Sequence, residues 1–272
     1  MRIAVLAPIK SSLYARLVCL LLYRESSINL TDIVVRSPWS QKRLASELRR
    51  DGSRLFTKIY TKMILGDASY AKDDTESIVY KARSAGLQFK NLKQLARNYS
   101  IKYSTVADHN DSNSQKILEK AAPDLIVFTG GGLIRKNILD IPKIGILNCH
   151  SGILPRYRGM DVVEWPAVEG NLDTEGIGLT LHLMDQGLDT GNIILQRKIQ
   201  LHQQDTFGTI RKRLEFMMTD IVLEGIRLIV RNNHVLVEQK LGEGRQYFVM
   251  HPRIQVYASQ QLSRYLQQLE KK

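Results

Sequence analysis

The sequence predicts an α/β protein: a doubly wound, mostly parallel sheet with a helical insertion and a small C-terminal appendage. Three observations carry that expectation. Apolar strand-like runs alternate with helix-like spacing over most of the 272 residues, which is the pattern of βαβ units. The run DLIVFTGGG is apolar without alternation, as a strand covered on both faces is. Both it and the next strand, IGILNCH, end in glycine or polar residues, at the edge where such sheets bind ligands.

The elements follow in order. RIAVLAP opens the chain as a strand, SLYARLVCLLLYRES is an amphipathic helix, and TDIVVRS is a second strand. Residues 38–99 show helix-like spacing without a strong strand, and IKYSTVAD reads as a short third strand. SNSQKILEKAAP is a helix that Ser112 or Ser114 can cap, with Pro123 past its end. After DLIVFTGGG come a short helix, IRKNILDIP, and the strand IGILNCH; DVVEWPAVEG is a helix with Pro166 in its first turn. IGLTLHLMD and GNIILQRKIQL are strands, and TFGTIRKRLEFMMTDIVLEGIRLIV is a long amphipathic helix. A hairpin, HVLVEQKL with RQYFVM, and a polar helix finish the chain.

Composition narrows the function classes. No run of eighteen apolar residues is present, so no membrane span is expected. The first strand is too short and β-branched for a signal peptide, and a cytoplasmic protein is expected. Two cysteines, Cys19 and Cys149, have no framework or metal-site spacing, which argues against disulfides and structural zinc. The formal net charge of +12 suits either a polyanionic partner or a generically basic surface.

Asn148 and His150 lie two apart on a strand and share a face, with Cys149 on the other. An amide N–H and a titratable imidazole side by side suit attack on a carbonyl carbon, where an oxyanion forms and a proton moves. Taken alone, the pair also describes a satisfied strand-end histidine. The loop MDQGLDTG brings Asp185 and Asp189 between two strands. A carboxylate there can orient His150, or simply cap its own turn. Gly130–Gly131–Gly132 lets a flat ligand or phosphate approach the backbone, without being a dinucleotide or P-loop signature.

NCHSGILPRYRG followed by MDQGLDTG resembles the signature of the folate-dependent formyltransferase family: Asn-x-His, a Ser/Leu/Leu/Pro-like loop, aromatic-Arg-Gly, then Asp-x-Gly-x-Asp. That family includes glycinamide ribonucleotide, methionyl-tRNA and nucleotide-sugar amine formyltransferases. The resemblance implies a formyltransferase (Rossmann-like) sheet, with a catalytic domain over 1–204, residues 38–99 as a basic helical insertion, and 205–272 as an extension. It implies 10-formyltetrahydrofolate as co-substrate and Asn148, His150 and Asp189 as the catalytic trio. Asn148 and protonated His150 would stabilise the oxyanion, and Asp189 would hold His150 and favour its imidazolium. On the pterin side it points to Gly131, Gly132, Leu133 and Ile134, and to Asp185 and Gly187; it implies no metal. This chain departs from the pattern at Gly152–Ile153, at Cys149 and at the glycine run.

The acceptor is less constrained. APIKSSLY has no glycine after the first strand, where the resemblance would put a phosphate loop for glycinamide ribonucleotide. The segment QKRLASELRRDGSRLFTKIYTK has seven Lys or Arg against two acids. It suits RNA phosphates, the diphosphate of a nucleotide-linked amino sugar, or a solvated helix face. The expected acceptor is a small-molecule amine, phosphorylated or nucleotide-linked. A methionyl-tRNA enzyme, a 10-formyltetrahydrofolate hydrolase and a non-catalytic folate- or RNA-binding relative are the alternatives; a homodimer is compatible with the sequence.

Overall fold

The structure is a computed structural model and describes residues 1–37, 75–240 and 242–269. The basic segment 41–62, and the insertion as far as residue 74, lie outside the described residues. Among the described residues the strands are β1 (Arg2–Ala7), β2 (Asn29–Arg36), β3 (Lys102–Val106), β4 (Leu125–Phe128), β5 (Gly145–His150), β6 (Tyr157–Gly159), β7 (Gly178–Leu183), β8 (Ile193–Lys198) and β9 (Arg245–Tyr247). Seven of them form one sheet in the order β3-β2-β1-β4-β5-β7-β8, and β6 and β9 form a separate ribbon. The pairs β1–β2, β1–β4 and β2–β3 are parallel, and β7–β8 is antiparallel. The order reverses direction between β1 and β4, the switch point of a doubly wound sheet. The chain divides into two compact units, Met1–Leu147 and Asn148–Lys272.

In the first unit β1 is buried from Ile3 to Ala7, as a central parallel strand must be. Helix α1 (Leu13–Arg24) starts where the Ser12 hydroxyl accepts the Ala15 N–H, satisfying one of the orphan donors of a helix start. Its Leu17 packs on Ile78 and Ala82 of α2 (Ile78–Ser84). Burying such a leucine contributes about 1.5–3 kcal/mol. Helix α3 (Leu92–Asn98) precedes β3. Helix α4 (Ser112–Ala121) is capped by Asp111, whose carboxylate accepts the Ser114 N–H at 2.7 Å. The expected cap was Ser112 or Ser114; the charged oxygen one residue earlier is the stronger acceptor. Ala122 then turns left-handed at φ 42° before Pro123. Helix α5 (Lys136–Leu139) links β4 to β5.

In the second unit a short helix, α6 (Trp165–Val168), carries Pro166 in its first turn, where its missing N–H costs nothing. Helix α7 (Phe207–Val230) opens on a reciprocal cap between Thr206 and Thr209. Gly225 lets it lie close on β7: a Cβ there would stand 2.1 Å from Leu181 Cδ2. Helix α8 (Pro252–Leu269) buries Ala258, Leu262 and Leu266 at four-residue spacing and packs against α6. The hairpin expected from HVLVEQKL and RQYFVM is not formed. β9 pairs instead with β6, in parallel, and Val237 bridges Ile193 at the edge of β8. The driving force is Tyr247, which is buried against Tyr157, Val162 and Trp165, whereas Val235 and Val237 stay exposed. Among the described residues no helix is long and apolar enough to cross a membrane.

Candidate active site

Strand alternation puts Asn148 and His150 on one face of β5 and the buried Cys149 on the other. Burial pushes the Cys149 thiol up, out of reach of ionisation at neutral pH. His150 is itself buried and lies between two acceptors. Its Nε2 is 2.9 Å from the Tyr157 carbonyl, and its Nδ1 is 3.5 Å from Asp189 Oδ2. Only the doubly protonated ring donates to both. Gly152 makes the first contact feasible, since a Cβ there would sit 2.8 Å from both His150 Nε2 and the Tyr157 oxygen. The loop after His150 is tied down by Thr180, which donates to the Gly152 carbonyl at 2.7 Å and accepts the Leu154 N–H at 3.1 Å. The Leu154–Pro155 bond is cis.

Asp189 reaches the pair from the β7–β8 loop. It adopts a left-handed φ of 55°, which aspartate tolerates better than most residues. Its Oδ2 accepts the Gly159 N–H at 3.0 Å. Thus β6 grips the site from one edge, with the Tyr157 carbonyl on His150 and the Gly159 amide on Asp189. Behind the loop, the Gln239 side-chain amide donates to the carbonyls of Asp189 (3.1 Å) and Gly191 (2.6 Å).

A fourth side chain belongs to the cluster and is absent from the sequence reading. His182 of β7, 1% exposed, accepts from the Asn148 amide through Nε2 at 3.1 Å. Its Nδ1 faces the Leu183 carbonyl at 3.1 Å, an acceptor only, so the proton is on Nδ1 and Nε2 is free to accept. Burial pushes this imidazole down, with Asp189 opposing and His150 reinforcing, so the ring stays neutral. One Asn148 N–H is thereby fixed on His182, and the other points elsewhere. The available signal was a lone titratable ring in an apolar strand, three residues before the Asp-x-Gly-x-Asp loop opens at Asp185.

The remaining expected residues have separate settings. In the loop, Asp185 Oδ1 accepts from the Gly187 N–H at 3.0 Å and from the Thr190 hydroxyl at 2.6 Å. It shapes the turn that presents Asp189, and Gly187 is needed because a Cβ would strike the Thr190 hydroxyl. Gly130, Gly131 and Gly132, at the end of β4 in the first unit, all have positive φ. Arg36 donates to the Gly131 carbonyl at 2.6 Å and Asn110 to the Leu133 carbonyl at 2.8 Å. His109 lies beneath, 2.8 Å from where a Gly131 Cβ would be. Leu133 stands 67% exposed while Ile134 is buried. A glycine turn flanked by an exposed leucine is a surface on which a flat aromatic ring can rest.

Fold and cluster together define an α/β protein with a polar side-chain cluster at the end of β5. The chain belongs to the formyl transferase family, whose model matches residues 1–226. Over 150 residues it is 36% identical to the methionyl-tRNA formyltransferase of Syntrophus aciditrophicus (strain SB), covering 55% of this chain and 47% of that protein. The chain thus spans about half the length of the curated relatives it matches. Its fold is similar to that of a sugar N-formyltransferase from Shewanella sp FDAARGOS_354, with TM-score 0.57 and 12% identity over 95% of this chain and 87% of that one. It is also similar to glycinamide ribonucleotide transformylase 1 from Symbiobacterium toebii, with TM-score 0.54 and 20% identity over 92% and 94% of the two chains.

Proposed function

We propose that the protein moves the formyl group of 10-formyltetrahydrofolate to an amine, with Asn148, His150 and Asp189 as its catalytic residues. The observation that carries this reading is the placement of His150 between a carbonyl and a carboxylate, beside an amide that has one N–H to spare. The neutral amine attacks the formyl carbon, and negative charge gathers on the formyl oxygen. The free Asn148 N–H and the His150 imidazolium stabilise that charge. Asp189 orients the ring through its Nδ1. Both ring nitrogens are occupied, so His150 acts first as a fixed cation. It passes a proton towards the departing N10 by releasing the Tyr157 carbonyl. The glycine turn and Leu133 suit the pterin.

For the acceptor we favour a nucleotide-linked amino sugar or similar phosphorylated amine, in line with the fold similarity to a sugar N-formyltransferase over 95% of this chain. The second reading, a methionyl-tRNA substrate, draws on the 36% identity over half the chain. Incubation with 10-formyltetrahydrofolate and a panel of amino-sugar nucleotides, glycinamide ribonucleotide and charged initiator tRNA, read by product mass, separates them. Formate release without any amine would instead mark a hydrolase. Asn148→Ala, His150→Ala and Asp189→Ala should each lose at least about 100-fold in turnover while keeping the wild-type circular dichroism. Near-wild-type turnover of His150→Ala would sink the assignment.

A further inference from the structure

Arg158 is the central residue of β6, between the carbonyl that holds His150 and the amide that holds Asp189. Its own side chain does neither job. The residue is 8% exposed, yet its Nε and Nη2 are buried without a hydrogen-bond partner. The other buried or half-buried arginines of this unit, Arg156, Arg211 and Arg213, each meet an acid, as does the exposed Arg197. Arg156 is 3.0 Å from Glu169, Arg211 is 2.6 Å from Glu164, Arg197 is 2.5 Å from Glu224, and Arg213 pairs with Asp205. Among the described residues no acid is paired with Arg158. Alternation along β6 sends Tyr157 into the aromatic cluster with Tyr247 and Trp165, so Arg158 leaves the ribbon by the opposite face. There its register partner is the exposed Gln246.

A guanidinium cannot shed its proton in a protein. A buried one without a counter-charge therefore costs several kcal/mol of desolvation that nothing in the folded chain returns. Its planar fork matches two oxygens of a carboxylate or phosphate. We propose that Arg158 is an anion receptor beside the formyl-transfer site, taking an oxyanion carried by a bound substrate. The inference rests on the formyl-transfer reading for its substrates. The oxyanion has two sources in that reaction: a phosphate of the amine acceptor, or a glutamyl carboxylate of the folate.

The test compares the full-length wild type with Arg158→Met and Arg158→Lys, by calorimetric binding and thermal melting. Three probes are used: inorganic pyrophosphate, uridine diphosphate and 5-formyltetrahydrofolate. Arg158→Met should weaken pyrophosphate and at least one other probe by about 10- to 100-fold, the range of a hydrogen bond to a charged group. Arg158→Lys should recover part of that loss. Beside the pyrophosphate loss, weakening of uridine diphosphate alone assigns the acceptor phosphate; weakening of 5-formyltetrahydrofolate alone assigns the donor carboxylate. Without ligand, the melting temperature of Arg158→Met should equal or exceed the wild type, because an unpaired charge has been removed. Unchanged binding of all three probes overturns the proposal. So does a ligand-free Arg158→Met that melts lower or fails to fold, since the charge would then be structural. Wild type that binds pyrophosphate through Arg158 but ignores 5-formyltetrahydrofolate leaves the receptor standing and removes the folate reading.

Discussion

Neutral His182 does a quiet job for Asn148: it takes one amide hydrogen and so decides where the other one points. Replacing it with phenylalanine keeps the ring volume and deletes the acceptor. His182→Phe should lower kcat by about 10- to 100-fold with KM for the folate unchanged, less than the 10²–10³ of losing an oxyanion donor outright. Steady-state kinetics checks this, and a change confined to KM would refute it. The residues that could be read from sequence were those with local spacing. Asn148 and His150 declare a shared face because strand period is two, and Asp189 sits in a glycine-punctuated loop. His182 was illegible because a single histidine in an apolar strand is also what a satisfied core position looks like. The Tyr157 carbonyl and Gly159 amide were illegible for a different reason: backbone groups have no residue code.

Among the elements, the strands of the parallel sheet were legible wherever apolar runs were continuous, as in β1 and β4, and α7 announced itself by length. The C-terminal segment was not. Period-two residues at 234–250 describe strands without naming their partners, and Tyr247 gains more burial on Tyr157 and Trp165 than a local hairpin offers. From this segment Gln239 reaches the two carbonyls that frame Asp189. Gln239→Ala leaves both unpaired, at about 1–3 kcal/mol for a buried group. The expected result is faster amide hydrogen exchange across 184–192 and about a tenfold fall in kcat. Unaltered exchange in that loop would show that Asp189 is held by other means.

At the scale of the whole molecule, two buried imidazoles set the acid limit. Burial foremost, with Arg36 beside it, pushes His109 down to about 4, and burial lowers His182 as well. In the folded chain His109 stays neutral where the unfolded chain, near 6.5, is already protonated. Stability from this group is therefore complete above pH 6.5 and declines as pH falls towards about 4, since the unfolded state binds the extra proton. The decline amounts to about 3 kcal/mol over that window, with Asp108, which offsets part of the shift, facing the same ring. Urea unfolding from pH 7.5 to 5 should show it, and His109→Gln should flatten the profile; parallel profiles would mean the ring is solvated. The support of the site has a different reach. Family similarity extends over residues 1–226, while the strand that clasps His150 and Asp189 is zipped by residues 245–247. The candidate site and half of its brace therefore lie inside the matched span, and the other half of the brace lies outside it. Sequence drift in the tail is a route by which descendants of one ancestor can quicken or slow the same chemistry without altering a residue that touches substrate.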